Sequence, residues 1–311
     1  MRTGMKSCRG NVSNSADYAK SFPQQRVNTF LTGSRYYNTS KEVFMTKSIS
    51  AFSLVELSIV LVILGLLTGG ILTGQNLIRA AELRSVVTEF QRYQTAVQTF
   101  RDKYFALPGD MSNAIDFWGS AGGSGTLGDG CESATGTGTQ TCNGDGDGRI
   151  DNGPPSEYTE GFTFWHQLAS SGLIEGTYTG VNGADSTTHT LIGENTPSSK
   201  LSSAGWTIAW VSGYMSSENY NIGQPYNNTL IFGSQNTSYE TSAPILSPEE
   251  AWNIDSKIDD GKPSYGRIVN RYINDLCSVA NSGSSISSNL NARYKLSDSS
   301  IRCALNFHNV F

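Results

Sequence analysis

An apolar run of 22 residues, Leu57–Ile78, constrains this chain more than any other feature of its sequence. It contains no Asp, Glu, Lys or Arg. A helix rises about 1.5 Å per residue, so this run can cross a hydrocarbon layer of about 30 Å. A secretory signal peptide has a shorter apolar region with a small-residue cleavage site after it, whereas here the small residue Ala51 precedes the run. The run therefore predicts a membrane-spanning helix.

A single carboxylate, Glu56, stands at the start of this run. An ionised carboxylate in a spanning segment costs on the order of 2.5–3.5 kcal/mol, so it needs a cationic partner. The helix offers none nearby, but cleavage between Ala51 and Phe52 creates an α-amino group at its start. Glu56 of one copy would then pair with the Phe52 amine of another copy. The alternative is a carboxylate that snorkels or is protonated in a plain membrane anchor.

The segment AFSLVELSIVLVILGLL, which begins at Ala51, resembles the cleavage and methylation segment of type IV prepilins and type II secretion pseudopilins. The resemblance implies that prepilin peptidase cleaves after Ala51 and methylates Phe52, and that Glu56 docks the subunit into a helical filament. Ala51 departs from the family pattern, which has Gly at this position. The implied partners are other pilin or pseudopilin subunits, prepilin peptidase and the inner-membrane assembly machinery.

The first 44 residues are polar and have no periodic apolar face, which predicts an upstream extension or a disordered leader with the true start at Met45. The predicted organisation is a leader over 1–51, a transmembrane and filament-core helix over 52–78, an amphipathic continuation over 79–104 and a globular domain over 105–311. By the resemblance, the helix lies in the bacterial inner membrane, with the domain in the periplasm, until the subunit joins a pilus or pseudopilus.

Beyond Arg79, apolar residues recur at alternating spacings of three and four, which is the pattern of one buried helix face. The apolar stripe consists of Leu83, Val86, Phe90, Tyr93, Val97, Phe100 and Tyr104. Charged residues such as Glu89 fall between its members. Pro108 and Gly109 do not continue a helix, so the helix is predicted to end before them. The stripe predicts packing on a globular domain, and a coiled coil is the rival interpretation.

The remaining pattern predicts the α+β class, with a long N-terminal helix packed on an antiparallel sheet. The stretches 111–119, 160–176 and 247–263 predict short helices. The stretches GWTIAWVSG (205–213) and NTLIFGS (228–234) are rich in β-branched and aromatic residues and predict strands. A pilin-like arrangement of these elements is what the family resemblance adds.

Five cysteines are present, and a start at Met45 would remove Cys8. The other four fall into two pairs that are close in sequence, Cys131 with Cys142 and Cys277 with Cys303. Two disulfides in an oxidising compartment are therefore predicted, and unpaired thiols are the alternative.

The loop CNGDGDGRIDNG, 142–153, alternates carboxylate and amide side chains with glycine, as a calcium loop does. The predicted calcium ligands are Asn143, Asp145, Asp147, the Arg149 carbonyl, Asp151 and Glu157, with Glu160 as an alternative to Glu157. Pro154 stands where an EF-hand has its bidentate Glu, so the loop is EF-like at best, and a solvated loop is the alternative. A second cation site at Asp255, Asp259 and Asp260 is weighed against a solvated turn, which the sequence favours.

The chain carries no catalytic motif, and a net charge of -5 with 16% charged residues argues against a nucleic-acid partner. None of its three histidines has metal-ligand spacing, and no serine lies in GxSxG. GSGTLG at 123–128 matches GxGxxG formally but predicts a flexible loop. The predicted function is a non-enzymatic, minor or large filament subunit. The rivals are a pilin-anchored surface binding module or adhesin and, third, an anchored periplasmic enzyme.

Overall fold

The computed structural model describes residues 52–122, 131, 138–152, 160–182, 189–211, 226–237, 239–271, 276–279, 291–308 and 311. The chain divides into two compact units, Met1–Leu57 and Ser58–Phe311. In the first unit, the described residues are Phe52–Leu57. The predicted leader with Ala51, the loop at 123–128 and the predicted ligand Glu157 lie outside the described residues.

Helix α1 covers Leu54–Tyr104 and is long and apolar enough to span a membrane. Between residues 58 and 78 every residue is exposed except Gly74, which is half-buried. From Leu83 onward the helix buries one face, as the apolar stripe predicts. Six of the seven stripe residues are buried, and Tyr104 is half-buried. The helix ends at Tyr104, and Phe105 after it takes a positive φ of 57°.

The main sheet has four strands in the order β1-β2-β6-β3, and every pair is antiparallel. Its strands are β1 (Ala204–Val211), β2 (Asn227–Ser234), β3 (Ile268–Asn270) and β6 (Leu305–Phe307). A separate antiparallel pair consists of β4 (Ser278–Val279) and β5 (Arg293–Tyr294). The α+β class with a long N-terminal helix and an antiparallel sheet is therefore confirmed.

Three shorter helices form where the sequence predicts them: α2 (Ile115–Trp118), α3 (Glu160–Ser170) and α4 (Pro248–Ile258). Helix α4 begins with a capping box, in which Ser247 accepts from the Glu250 N–H and the Glu250 carboxylate accepts from the Ser247 N–H. This exchange satisfies two backbone donors that a helix start otherwise leaves unpaired. Helix α3 is buried along most of its length, from Glu160 to Leu168.

Aromatic side chains join α1 to the sheet. The Phe90 ring lies 4.7 Å from Phe307 of β6, and the Tyr93 ring lies 5.7 Å from Trp206 of β1. Tyr93 also contacts Trp165 of α3 edge-on at 5.0 Å. These rings belong to one large core cluster, so the buried face of α1 is an integral part of the domain's core.

Both predicted disulfides are present. Cys131 pairs with Cys142, and Cys277 pairs with Cys303. The first bridge is made by Cys142, the first residue of the loop 142–153, which we call the acidic loop. The second joins the residue before β4 to the segment that leads into β6. All four cysteines are buried.

Candidate functional site

The start of α1 carries the predicted processing and docking residues. Phe52 is 90% exposed. The Glu56 carboxylate accepts a hydrogen bond from the Ser53 N–H at 2.9 Å, and the Ser53 hydroxyl accepts from the Val55 N–H at 3.3 Å. This is the S-x-x-E pattern of a helix N-cap, which the sequence contains and which the docking interpretation of Glu56 did not include. Glu56 therefore caps its own helix in the single chain.

The apolar surface that follows is large and continuous. Large aliphatic side chains from Leu54 to Ile78 are at least half exposed on all sides of α1. Soluble monomers rarely expose a contiguous apolar surface of this size, so such a surface is normally covered by lipid or by protein. By length and composition, it fits a single-pass membrane protein.

The other half of α1 is fastened to the domain by two charged residues. Arg79, the first charge after the apolar run, donates to both carboxylate oxygens of Glu250, at 2.5 and 2.9 Å. Glu89 is only 6% exposed and accepts from the Trp206 indole N–H at 2.8 Å and the Lys200 N–H at 2.9 Å. These two donors explain how a charged residue that lies between members of the apolar stripe is buried.

The acidic loop is fixed to the sheet through its last residues. The Ile150 N–H donates to the Asn228 side chain at 2.8 Å, and the Trp210 N–H donates to the Ile150 carbonyl at 2.6 Å. The Asn228 amide in turn donates to the Gly148 carbonyl at 3.0 Å. The loop is thus attached at one end of the β1–β2 pair, where Trp210 and Asn228 lie opposite each other.

Three carboxylates from separate segments meet beside this loop. Asp110 follows the end of α1, Asp145 lies in the loop, and Glu160 begins α3. One oxygen from each lies within 4.8 Å of the others, an arrangement that can hold a metal ion. We call these three residues the carboxylate cluster. The ligands predicted from sequence included Asp145, with Glu160 as an alternative, but not Asp110.

The other predicted calcium ligands make local contacts instead. The Asn143 side chain accepts from the Ile115 N–H at 2.9 Å, at the start of α2. The Asp147 carboxylate accepts from the Arg149 N–H at 2.8 Å and pairs with its guanidinium at 3.6 Å. Arg149 also lies over the Trp210 ring, 5.0 Å from its centre. Asp151 is half-buried, and its N–H donates to Glu160 at 3.1 Å. Calcium binding by this set of residues stays a prediction.

Burial changes the acidity of the cluster. It raises the pKa of Asp110 to about 6 and that of Glu160 to about 8, and neighbouring carboxylates add to both shifts. Hydrogen bonds from backbone N–H groups lower both pKa values, but by less than burial raises them. Carboxylates in such surroundings favour either a proton or a cation.

The second group, Asp255, Asp259 and Asp260, also brings one oxygen of each residue within 4.8 Å of the others. Asp255 is fully buried, rather than solvated, and accepts from the Tyr294 hydroxyl at 2.9 Å and the Gly261 N–H at 3.2 Å. Asp259 accepts from the Arg267 N–H, and Asp260 pairs with Lys262 at 3.4 Å. This group holds the turn after α4 together.

Comparison of the chain with protein-family models, with curated proteins and with solved structures gave no match.

Proposed function

We propose that this protein is a structural subunit, of pilin or pseudopilin type, of a type IV pilus or type II secretion pseudopilus. One observation carries the proposal. A single helix is apolar and exposed in its first half, beginning at a lone carboxylate, and forms part of a disulfide-bonded α+β core in its second half. Such a helix suits transfer from a lipid layer into a protein filament without refolding of the domain.

In this proposal the apolar half of α1 first lies in the inner membrane, with the domain in the periplasm. Prepilin peptidase cleaves between Ala51 and Phe52 and methylates the new amine. Assembly machinery then moves the helix into the filament core, where neighbouring subunits replace lipid around it. Glu56 exchanges its contact with the Ser53 N–H for the Phe52 amine of a neighbour, and this pairing compensates its charge in apolar surroundings.

Mass spectrometry of the mature N-terminus tests the processing step. The chain is isolated from membranes that contain prepilin peptidase, and we expect it to begin with methylated Phe52. A chain that begins at Met1 or Met45 would contradict processing and would leave the protein a permanent membrane anchor.

Two substitutions of Glu56 separate docking from helix capping. Glu56→Gln keeps an oxygen that can accept from the Ser53 N–H but removes the charge, whereas Glu56→Ala removes both. We expect both variants to be inserted and cleaved but poorly incorporated into filaments, as measured by shearing and immunoblotting. Normal incorporation of Glu56→Gln would show that Glu56 acts through capping alone, and normal incorporation of both would reject the docking role.

The alternative is a surface binding module displayed by the pilin segment. A cavity of about 840 Å³ beside the acidic loop is lined by Phe105, Asp110 and Phe311, among others. Among the described residues that line it there is no Trp or Tyr, the side chains expected of a glycan-binding groove. The filament subunit is therefore the function that the described residues support better.

Calcium is the cofactor that we propose for this domain. The candidate ligands are all oxygen atoms, which hard divalent cations prefer.

A further inference from the structure

The carboxylate cluster depends on two glycines that let separate segments approach. Gly109 has φ +85°, and a Cβ on it would lie 2.6 Å from the Glu160 carbonyl. A Cβ on Gly144 would lie 2.4 Å from the Gly109 carbonyl and from Asp110 Cα. No side chain fits at either position, so the acidic loop, the turn after α1 and the start of α3 are in direct backbone contact.

The hydrogen bonds to the two buried carboxylates come from backbone groups. The Glu160 carboxylate accepts from the Asp145 N–H at 3.2 Å and from the Asp151 N–H at 3.1 Å. Asp110 Oδ2 accepts from the Gly148 N–H at 3.1 Å. In the part of the chain that the structure describes, no Lys or Arg forms an ion pair with the cluster, and Arg149 is paired with Asp147 instead. The negative charge of the cluster is therefore not balanced by a side chain.

One oxygen of the cluster has no protein partner. Asp110 is 5% exposed, and its Oδ1 is buried without a hydrogen bond to any residue that the structure describes. A buried carboxylate oxygen without a donor is costly, since it has lost water and gained nothing in return. A bound cation would satisfy this atom directly.

We infer that Asp110, Asp145 and Glu160 form a binding site for one divalent cation, with Ca²⁺ as the ion. Three carboxylates without nitrogen or sulfur ligands suit a hard cation, and Ca²⁺ accepts irregular geometry more readily than Mg²⁺ does. Asp145 is exposed, so water can complete the coordination from the solvent side. The choice of ion rests on the calcium proposal above, whereas the ligand set does not depend on filament assembly.

The ion would join three parts of the domain that lie far apart in sequence: the turn after α1, the acidic loop and the first residue of α3. The site also borders the cavity beside the loop, because Asp110 forms part of the cavity wall. Binding would therefore stabilise the end of α1 against the domain.

Calorimetric titration of the full chain with CaCl₂ tests the site, after purification in detergent and removal of metal with a chelator. We expect one ion per chain and a higher thermal midpoint with Ca²⁺ than with chelator. Asp110→Asn and Glu160→Gln should each weaken binding by about tenfold or more, since loss of even an outer-shell partner does so. Asp147→Asn is the matched control from the same loop, and it should bind as the wild type does.

The variants also separate loss of the site from loss of the fold. Asp110→Asn and Glu160→Gln place a neutral amide where a carboxyl group is buried, so these two metal-free variants should melt at or above the wild-type temperature. If Asp110→Asn fails to fold, the wild-type titration and Glu160→Gln decide. Absence of binding at millimolar Ca²⁺ would overturn the inference, as would loss of binding in Asp147→Asn with binding retained in Asp110→Asn. Tighter binding of Mg²⁺ would overturn the choice of calcium. All of these outcomes are independent of processing and filament incorporation.

Discussion

The two halves of α1 share one regular backbone but have opposite surroundings. Residues 58–78 are apolar on every side and exposed, whereas residues 79–104 alternate a buried apolar face with polar positions. Helix formation is therefore not what distinguishes them. The angular distribution of apolar side chains decides whether a helix packs on its own domain or must be covered by lipid or by other proteins.

The two halves of α1 also gain stabilisation from apolar burial in different places. Burial of apolar area contributes roughly 25 cal/mol per Å². The second half of α1 gains this within the domain, while the first half gains it only from lipid or from neighbouring subunits. Substitutions in the two halves should therefore affect different measurements.

The largest expected effect comes from Phe90, which is 2% exposed against Phe307. Phe90→Ala should lower the free energy of unfolding of the domain by about 3–5 kcal/mol, because it leaves a cavity in the core. Chemical unfolding of the full chain in detergent measures this. Leu66→Ala is the matched control in the first half, where the side chain is 73% exposed, and it should change domain stability by less than about 0.5 kcal/mol. Equal effects would remove the distinction between the halves.

Glu89 should rank next. Glu89→Ala leaves the Trp206 indole N–H and the Lys200 N–H without their charged acceptor, and we expect a loss of about 2–4 kcal/mol. Glu89→Gln keeps one acceptor oxygen and should lie between the wild type and Glu89→Ala in the same unfolding assay. A shift in Trp fluorescence would report the Trp206 contact itself. A stability unchanged in both variants would mean that burial of Glu89 contributes nothing to attachment of α1.

The stability of the domain should also depend on pH. Burial raises the pKa of Asp255 to about 8, so the folded state keeps a proton that the unfolded state releases at lower pH. Stability should therefore fall as pH rises from about 4 to 8, by at most about 1.4 kcal/mol per pH unit for this group.

Asp255→Asn isolates this contribution, because Asn resembles the protonated side chain. The stability of the variant relative to the wild type should increase with pH over that range, as followed by urea unfolding at several pH values. A constant difference would show that Asp255 is ionised in the folded protein.

The smallest expected effect is at Arg79, where the two halves meet. Arg79→Ala should cost about 0.5–1 kcal/mol, because the pair with Glu250 is partly exposed, although both carboxylate oxygens are engaged. The loss should shrink at high salt, which screens exposed charges. Salt-independent destabilisation would indicate that the Arg79 side chain contributes by packing instead.

Local patterns carried most of what the sequence could predict. The stripe and the helix ends lie within a few positions of the features they determine. The two disulfides join cysteines close in sequence. The short strands β3 and β6 escaped prediction, since each has only three residues and gains its order from pairing with distant strands.

The candidate cation site was predictable only in part, for the same reason. Alternating Asp and Gly indicated the loop, but the partners of Asp145 are set by tertiary contacts. Asp110 and Glu160 come from other segments, brought near by the close approach of Gly109 and Gly144. Sequence spacing alone favoured ligands within the loop, such as Asp147, whose contacts are local.

Arg79 has a mechanical consequence. Its guanidinium joins the last turn of the apolar segment to Glu250, the same residue that caps α4. A pull or twist applied along the apolar segment is therefore transmitted at this point to α4, before it reaches the aromatic contacts around Phe90. The Arg79–Glu250 pair therefore couples the apolar segment of α1 mechanically to the domain.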